Sequence, residues 1–303
     1  MRIATTQYQS TMNRSLQLNQ EHISLLTQQM ASGQRVQVPS DDPISNVRLS
    51  RLNREEAIVT QYRDNIASVQ TRLTKNENFL TSMVSDMHES ADLLVWASDG
   101  GNASADLGAM VNSMSALRDS LFYSANLKDE EGRYIFAGTA TGTAAINYDP
   151  AAPVGARYTY TGNTGQQKVV VGNGVTQTAN VDVQGLETLL NQMDSTVATL
   201  AVPGVAPNDP AVRAVLTANL DGVTAGMEQF STKIAVFGGV QNILSTLDTN
   251  HGNVSLSNKM ALTDIGQVDY GLAATDLNGY TIALQATYKA YAKIGNLSLF
   301  DVL

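Results

Sequence analysis

VTQYRDNIASVQTRLTKNENFLTSMVSDMHESADLL, residues 59–94, repeats large apolar residues at alternating steps of three and four. Val59, Tyr62, Ile66, Val69, Leu73, Leu80, Met83, Met87 and Leu94 keep one register, with Asn76 as its polar member. That spacing puts the side chains on one side of an α-helix, as the seam that a packed partner covers. The stretch therefore predicts a long helix buried along one face, and for this seam a helical core is the ordinary explanation. Counted from Pro43, its roughly 50 residues would reach about 75 Å at 1.5 Å each.

The helix has a marked beginning. In PSDDP, Pro39 to Pro43, Asp42 is placed to cap the orphan amides of a new helix, and Pro43 to occupy the first helical position, where no amide hydrogen is needed. Upstream, Met12, Leu16, Asn19, Ile23, Leu26 and Met30 form another three-four seam, and Gly33 offers a left-handed C-cap. Downstream, Gly100, Gly101 and Asn102 break the pattern before an antiparallel helix through Met110, Met114, Leu117 and Leu121. After Lys128 the character changes. YTYTGNTGQQKVVVGNGVTQTANVDV, residues 158–183, has short β-branched and aromatic runs, with Asn173-Gly174 as a type I′ hairpin signal.

Helical period returns at Leu186 to Leu200, and Asp209-Pro210 repeats the cap-then-proline device. Leu216, Leu220, Val223, Met227, Phe230, Ile234, Phe237, Gln241 and Leu244 resume the seam, and a looser pattern runs through Ile265, Val268 and Leu272 to the C-terminus. The expected fold is mainly α: a long antiparallel, coiled-coil-like helical rod with a small inserted β domain. Residues 1–40 and 265–303 would form a terminal helical region, 41–133 and 184–264 the rod core, and 134–183 the β insert.

Composition bounds the function. The 303 residues carry a net charge of −9, which argues against nucleic acid or an anionic membrane as partner, and membrane insertion is not expected without a long apolar span. Charged residues are 16% of the chain, against about 25% on average. A weakly charged polar surface suits stacking against identical copies, and is equally compatible with a compositional accident. The absence of cysteine excludes disulfides, thiol nucleophiles and Cys-ligated metals. No cleavable leader and no span of about 18 apolar residues is recognisable, so any export is not expected to use the general secretory signal.

Chemistry is sparse. His22, His88 and His251 are far apart, and His88-Glu89 is followed by Asp92 where a zinc protease needs a second His. Around Asp129, Glu131 and Gly132 a calcium loop would need carboxylates where Leu127 and Gly138 stand. No catalytic, cofactor-binding or metal site is expected. The terminal seams are another matter, because a solitary stripe of 20 to 30 residues is marginal as a free helix. Leu284, Tyr288 and Tyr291 continue such a seam, and GNLSLFDVL, residues 295–303, adds Leu297, Leu299, Phe300, Val302 and Leu303. These residues, with those from Met12 to Met30, are expected to contact neighbouring subunits.

MRIATTQY at 1–8 with LTQQMASGQRVQVPSDDP at 26–43, NLKDEEGRYIFAGT at 126–139 and YAKIGNLSLFDVL at 291–303 resemble the flagellar hook-associated protein 3 family, within the flagellin superfamily. The resemblance covers about the first 140 residues and the last 50. Its motif and cap positions are Gly33, Ser40, Asp41, Asp42 and Pro43, then Gly132, Arg133, Tyr134, Phe136 and Gly138. It implies an extracellular structural subunit without cofactors, assembled as a ring of copies between hook-associated protein 1 and flagellin, with the terminal helices forming an inner tube and the β domain facing outward. It further implies export through the flagellar type III apparatus without a cleaved signal peptide, with an export chaperone on the C-terminal segment. Two small departures are Val302 where an aromatic is common and DEEGRY where DGDGRY is usual.

Three other functions compete. A peptidoglycan hydrolase would need a constellation that the insert, with Asp149 and Asp182 among few acids, does not offer. Filament flagellin shares the terminal coiled coil but closes on a basic residue after paired leucines, whereas this chain closes on DVL. A secreted helical adhesin or tip protein is the third.

Overall fold

The computed structural model describes the backbone of residues 2–295 and the side chains of residues 7–293. Its elements in order are α1 (Arg2–Ser32), α2 (Pro43–Ala97), α3 (Ser104–Ala125), β1 (Ile146–Tyr148), β2 (Tyr158–Tyr160), β3 (Lys168–Gly172), β4 (Val175–Thr178), α4 (Leu186–Leu200), α5 (Pro210–Gly266) and α6 (Tyr270–Gly295). The protein is mainly α with a small β insert, as the seams predicted. Two units divide it, residues 60–251 and residues 1–59 with 252–303, and the division falls within α2 and within α5.

The unit of residues 60–251 packs α2, α3, α4 and α5 around the seam of residues 59–94. Side-chain bonds fix the directions. Ser120 donates to Asp86 at 2.7 Å and Ser90 to the Met114 sulfur at 3.4 Å, so α3 runs antiparallel to α2. Gln241 donates to Glu77 and Arg63 to Asp248, so α5 also runs antiparallel to α2. Leu73, Leu80, Met83, Met87 and Leu94 are fully buried, as are Met114, Leu121, Val223 and Leu244. Each such side chain contributes about 1.5–3 kcal/mol relative to an exposed one. Asn76 sits in the seam at 5% exposure. Ser90 fills the register between Met87 and Leu94 and is itself fully buried.

The insert holds two antiparallel pairs, β1 with β2 and β3 with β4. Tyr158 is clamped to α4 by Asn191, whose amide oxygen accepts its N–H at 2.9 Å while the amide nitrogen donates to its carbonyl at 2.8 Å. The β3–β4 turn falls at Asn173-Gly174, but only Gly174 has positive φ. A type I′ turn needs it at both central residues. The ladder instead slips between Val170 and Gly172, leaving Val171 as an extra residue. This bulge bends β3 so that Val171 and Gly172 are buried in succession.

In the other unit α1 lies antiparallel against α6. Gln20 donates to the Tyr288 hydroxyl at 3.2 Å, and the His22 and Tyr280 rings stack with centroids 4.8 Å apart. The looser pattern through Ile265, Val268 and Leu272 is not one helix. α5 stops at Gly266, and Asp269 caps α6 by accepting the amides of Gly271 at 2.9 Å and Leu272 at 3.1 Å. Leu272 is therefore out of the α5 register and 62% exposed.

Candidate assembly interface

Two chain links meet beside the start of α2. The Arg35 amide donates to the Gly266 carbonyl at 2.8 Å, and the Val268 amide donates to the Gly33 carbonyl at 3.1 Å. Gly33 ends α1 at φ +71°, the left-handed conformation expected of a C-cap glycine. Asp42 caps α2 through its Oδ1, which accepts the Ser45 amide at 3.0 Å. Asp41 accepts the amides of Gln37 and Val38 on one oxygen, at 3.1 and 3.0 Å, while Ser40 lies exposed in the turn between them. Pro43 opens the helix. Arg35 ties these parts together, donating to the Ile265 carbonyl at 3.1 Å, to Asp42 at 3.2 Å and to the Ser45 hydroxyl at 2.9 Å.

Along α1, Met12, Leu16, Asn19, Ile23, Leu26 and Met30 are all half-buried, which is the inner stripe of the helix pair. On α6 the stripe differs from the expected one. Leu284 is half-buried, Thr287 and Ala290 take the inner positions that follow it, and Tyr288 and Tyr291 are exposed. Small side chains let two helices approach closely, and the bulky tyrosines are displaced to the flank. Leu297, Leu299, Phe300 and Leu303 lie outside the described residues.

What distinguishes this pair is what it leaves uncovered. Leu18 and Leu25, one heptad apart on α1, are exposed, as are Leu272 and Ile282 on α6. At these exposures each forgoes roughly half of the 1.5–3 kcal/mol that full burial contributes. These four side chains are exposed apolar surface on the two helices of this unit.

The turn at 127–138 is built by Asp129. Its Oδ1 accepts the amides of Glu131 and Arg133, and its Oδ2 meets the Arg133 guanidinium at 3.1 Å. Arg133 also pairs with Glu131, Lys75 with Glu130, and Lys128 lies 4.6 Å from the Tyr134 ring centroid. Hydrogen bonds from the Arg133 and Glu131 amides and the Arg133 side chain outweigh desolvation and hold the Asp129 carboxyl below its usual value. Phe136 is fully buried, and Gly132 and Gly138 both have positive φ. At Gly138 a Cβ would also collide with the Asn163 carbonyl, so that position admits glycine alone. The carboxylates thus serve the turn itself. Among the described residues no group of three or more His, Asp or Glu side chains is placed to hold a metal ion, and no helix is long and apolar enough to cross a membrane.

Asp194 on α4 carries a role that pattern reading passes over. It is 2% exposed and meets Arg118 of α3 at 3.0 Å, Arg157 of the insert at 3.6 Å and the Gly155 amide at 3.3 Å. One buried carboxylate thereby joins two helices and the β1–β2 loop. Its signal in the sequence was an acid on the inner side of an otherwise apolar helical stripe.

Comparison with known proteins points in one direction. The family described as bacterial flagellin N-terminal helical region matches residues 3–141. Flagellar hook-associated protein 3 of Escherichia coli (strain K12) is 28% identical over 321 residues, covering 100% of this chain and 99% of that protein. The protein of the same description from Salmonella typhimurium is 26% identical over 319 residues, with 100% and 99% covered. A solved structure described as a flagellar hook-associated protein from Vibrio parahaemolyticus superposes with a TM-score of 0.69 at 30% identity, covering 75% of this chain and 100% of that one. Xanthomonas campestris FlgL shares the fold, with a TM-score of 0.62 at 16% identity over 70% of this chain and 99% of that chain.

Proposed function

The chain belongs to the flagellar hook-associated proteins of the flagellin superfamily, and on that premise we propose that it joins a hook-associated protein 1 ring to the flagellin filament. Proteins of this family are structural parts of the flagellum, an extracellular appendage. Here the junction is a ring of copies held by α1, α6 and the C-terminal segment, the β insert faces outward, and the chain has no catalytic step of its own. The observation that carries this reading is the α1–α6 pair, whose inner stripe is only half-buried while Leu18, Leu25, Leu272 and Ile282 remain open to further subunits. A tube of neighbouring copies would cover them. Export runs through the flagellar type III apparatus, with a chaperone on the C-terminal segment beforehand.

The experiment is a deletion of the gene. A strain that completes hooks but releases flagellin monomers into the medium supports the junction role. A strain that lacks filament protein altogether supports filament flagellin, and one with normal filaments but lost attachment supports an adhesin.

A further inference from the structure

The first turns of α2 carry two seams. The inner one, Leu49, Leu52, Glu56 and Val59, is buried or half-buried. The outer one, Ile44, Val47, Arg51, Arg54 and Ile58, repeats the same steps of three and four on the opposite side of the helix, and all five residues are exposed. Ile44 and Val47 are 70% and 71% exposed, among the barest large apolar side chains described. A groove of about 540 Å³, bordered by Pro39, Pro43 and Val47, lies beside them.

The arginines of this face stand apart from most others in the chain. Arg35, Arg63, Arg118, Arg133 and Arg157 each meet a carboxylate within 3.6 Å, and Arg72 donates to Gln167. Arg48, Arg51 and Arg54 are exposed and have no ion pair or hydrogen bond among the described residues. The exposed Glu55 offsets one of these three charges. In a chain of net charge −9, such a stripe is a local reversal of sign.

The opposite character is found at the far end of the same helix. Glu89 and Asp92 are exposed, three residues apart and without partners among the described residues, and Val95 and Trp96 follow at 60% and 45% exposure. Each face thus combines apolar residues with a pair of charges three apart, and the charges are of opposite sign. We propose that the Ile44–Arg54 face of one copy docks against the Glu89–Trp96 face of a second copy. Arginine offers carboxylates a planar fork, and Trp96 offers a guanidinium its ring face. Because different surfaces meet, each copy keeps one face free after pairing, and the contact propagates into a ring or a stack according to its rotation. This rests on the self-assembly reading above.

The absence of native cysteine makes the test direct. A full-length chain with Arg51→Cys and Asp92→Cys is expressed in the deletion strain, and isolated flagella are oxidised. A ladder of disulfide-linked multimers of this chain, absent with either cysteine alone, is the expected result. In parallel, Arg51→Glu with Arg54→Glu lowers incorporation at least tenfold, and co-expression with Glu89→Arg plus Asp92→Arg restores it, since the reversed faces again complement each other. All four side chains are exposed, so monomer melting is unchanged. Normal incorporation without a ladder, or with the reversals harmless, overturns this contact and leaves the junction reading intact. Absence of the wild-type chain from isolated flagella overturns both.

Discussion

The Arg35 guanidinium lies 3.2 Å from Oδ2 of Asp42, while the other oxygen of that carboxylate caps α2 through Ser45. Hydrogen bonds from the Ser45 side chain and then its amide, with Arg35 adding to them against desolvation, hold the Asp42 carboxyl below its usual value. A carboxylate lowered by folding stabilises above its unfolded pKa of 3.8, and that contribution is lost as pH falls through the lower folded value. Replacing Asp42 by Ala should lower the melting midpoint by roughly 1–2 °C at neutral pH, the effect of a typical cap in a chain of this length. The deficit should shrink when melting is repeated below pH 3.8. An unchanged midpoint at neutral pH would show that Asp42 does not act as the cap.

Asp194 supplies a larger effect. Removing one partner of a buried ion pair costs about 3–5 kcal/mol when the other is left uncompensated, and here the upper limit is lower because Arg118 keeps Asp119 and Arg157 is partly exposed. Asp194→Ala should cost toward the low end of that range in urea denaturation, and Asp194→Asn less, because the amide oxygen still accepts from Gly155. A cost no greater than that of exposed Asp92→Ala would refute the assignment.

The two kinds of seam should differ in the same assay. Leu80 is fully buried, and truncating it to Ala should cost about 2–5 kcal/mol. Leu16 is only half-buried, so in the monomer its truncation should cost about 1 kcal/mol or less. Once the chain is assembled, protease protection of α1 should depend strongly on Leu16. Equal costs in the monomer would mean that α1 is already in a finished core.

Burial, more than any other influence, pushes both the Tyr158 and Tyr160 hydroxyls up to about 12. A group whose pKa rises on folding stabilises fully below its unfolded value, here 10.0, and loses that contribution as pH climbs through the folded one. Stability should therefore fall between pH 10 and about 12, as these tyrosines ionise. Tyr158→Phe should flatten part of the decline. Ultraviolet titration in which every tyrosine ionises together near pH 10 would contradict it.

The parts of the fold legible in the sequence are those written in apolar period. Tyr62 to Leu94 could be read because every third or fourth residue is large and apolar, and Gly33, Asp42 and Pro43 because helix ends demand particular residue types. Ser90 and Asp194 escaped the same reading: each interrupts an apolar stripe, which marks it as unusual, but its role is set by a partner far along the chain, and Arg118 lies 76 residues from Asp194. Asp269 was a readable cap, but weak periodicity on both sides of it concealed the break between α5 and α6. Tyr288 and Tyr291 have the right spacing for an inner stripe. Their bulk, which spacing does not register, moved them to the flank.

The bond from Arg35 to the Ile265 carbonyl spans 230 residues of chain. Closing so long a loop from the unfolded state costs about 5 kcal/mol in its logarithmic part alone. Once Tyr62 and His251 are in ring contact, the open length drops to about 40 residues and the cost by about 1.5 kcal/mol. The order of events follows from chain statistics: α1 and α6 are brought together cheaply only after the middle of the molecule has folded. The α1–α6 pair is therefore the part of the molecule whose tertiary contacts form last.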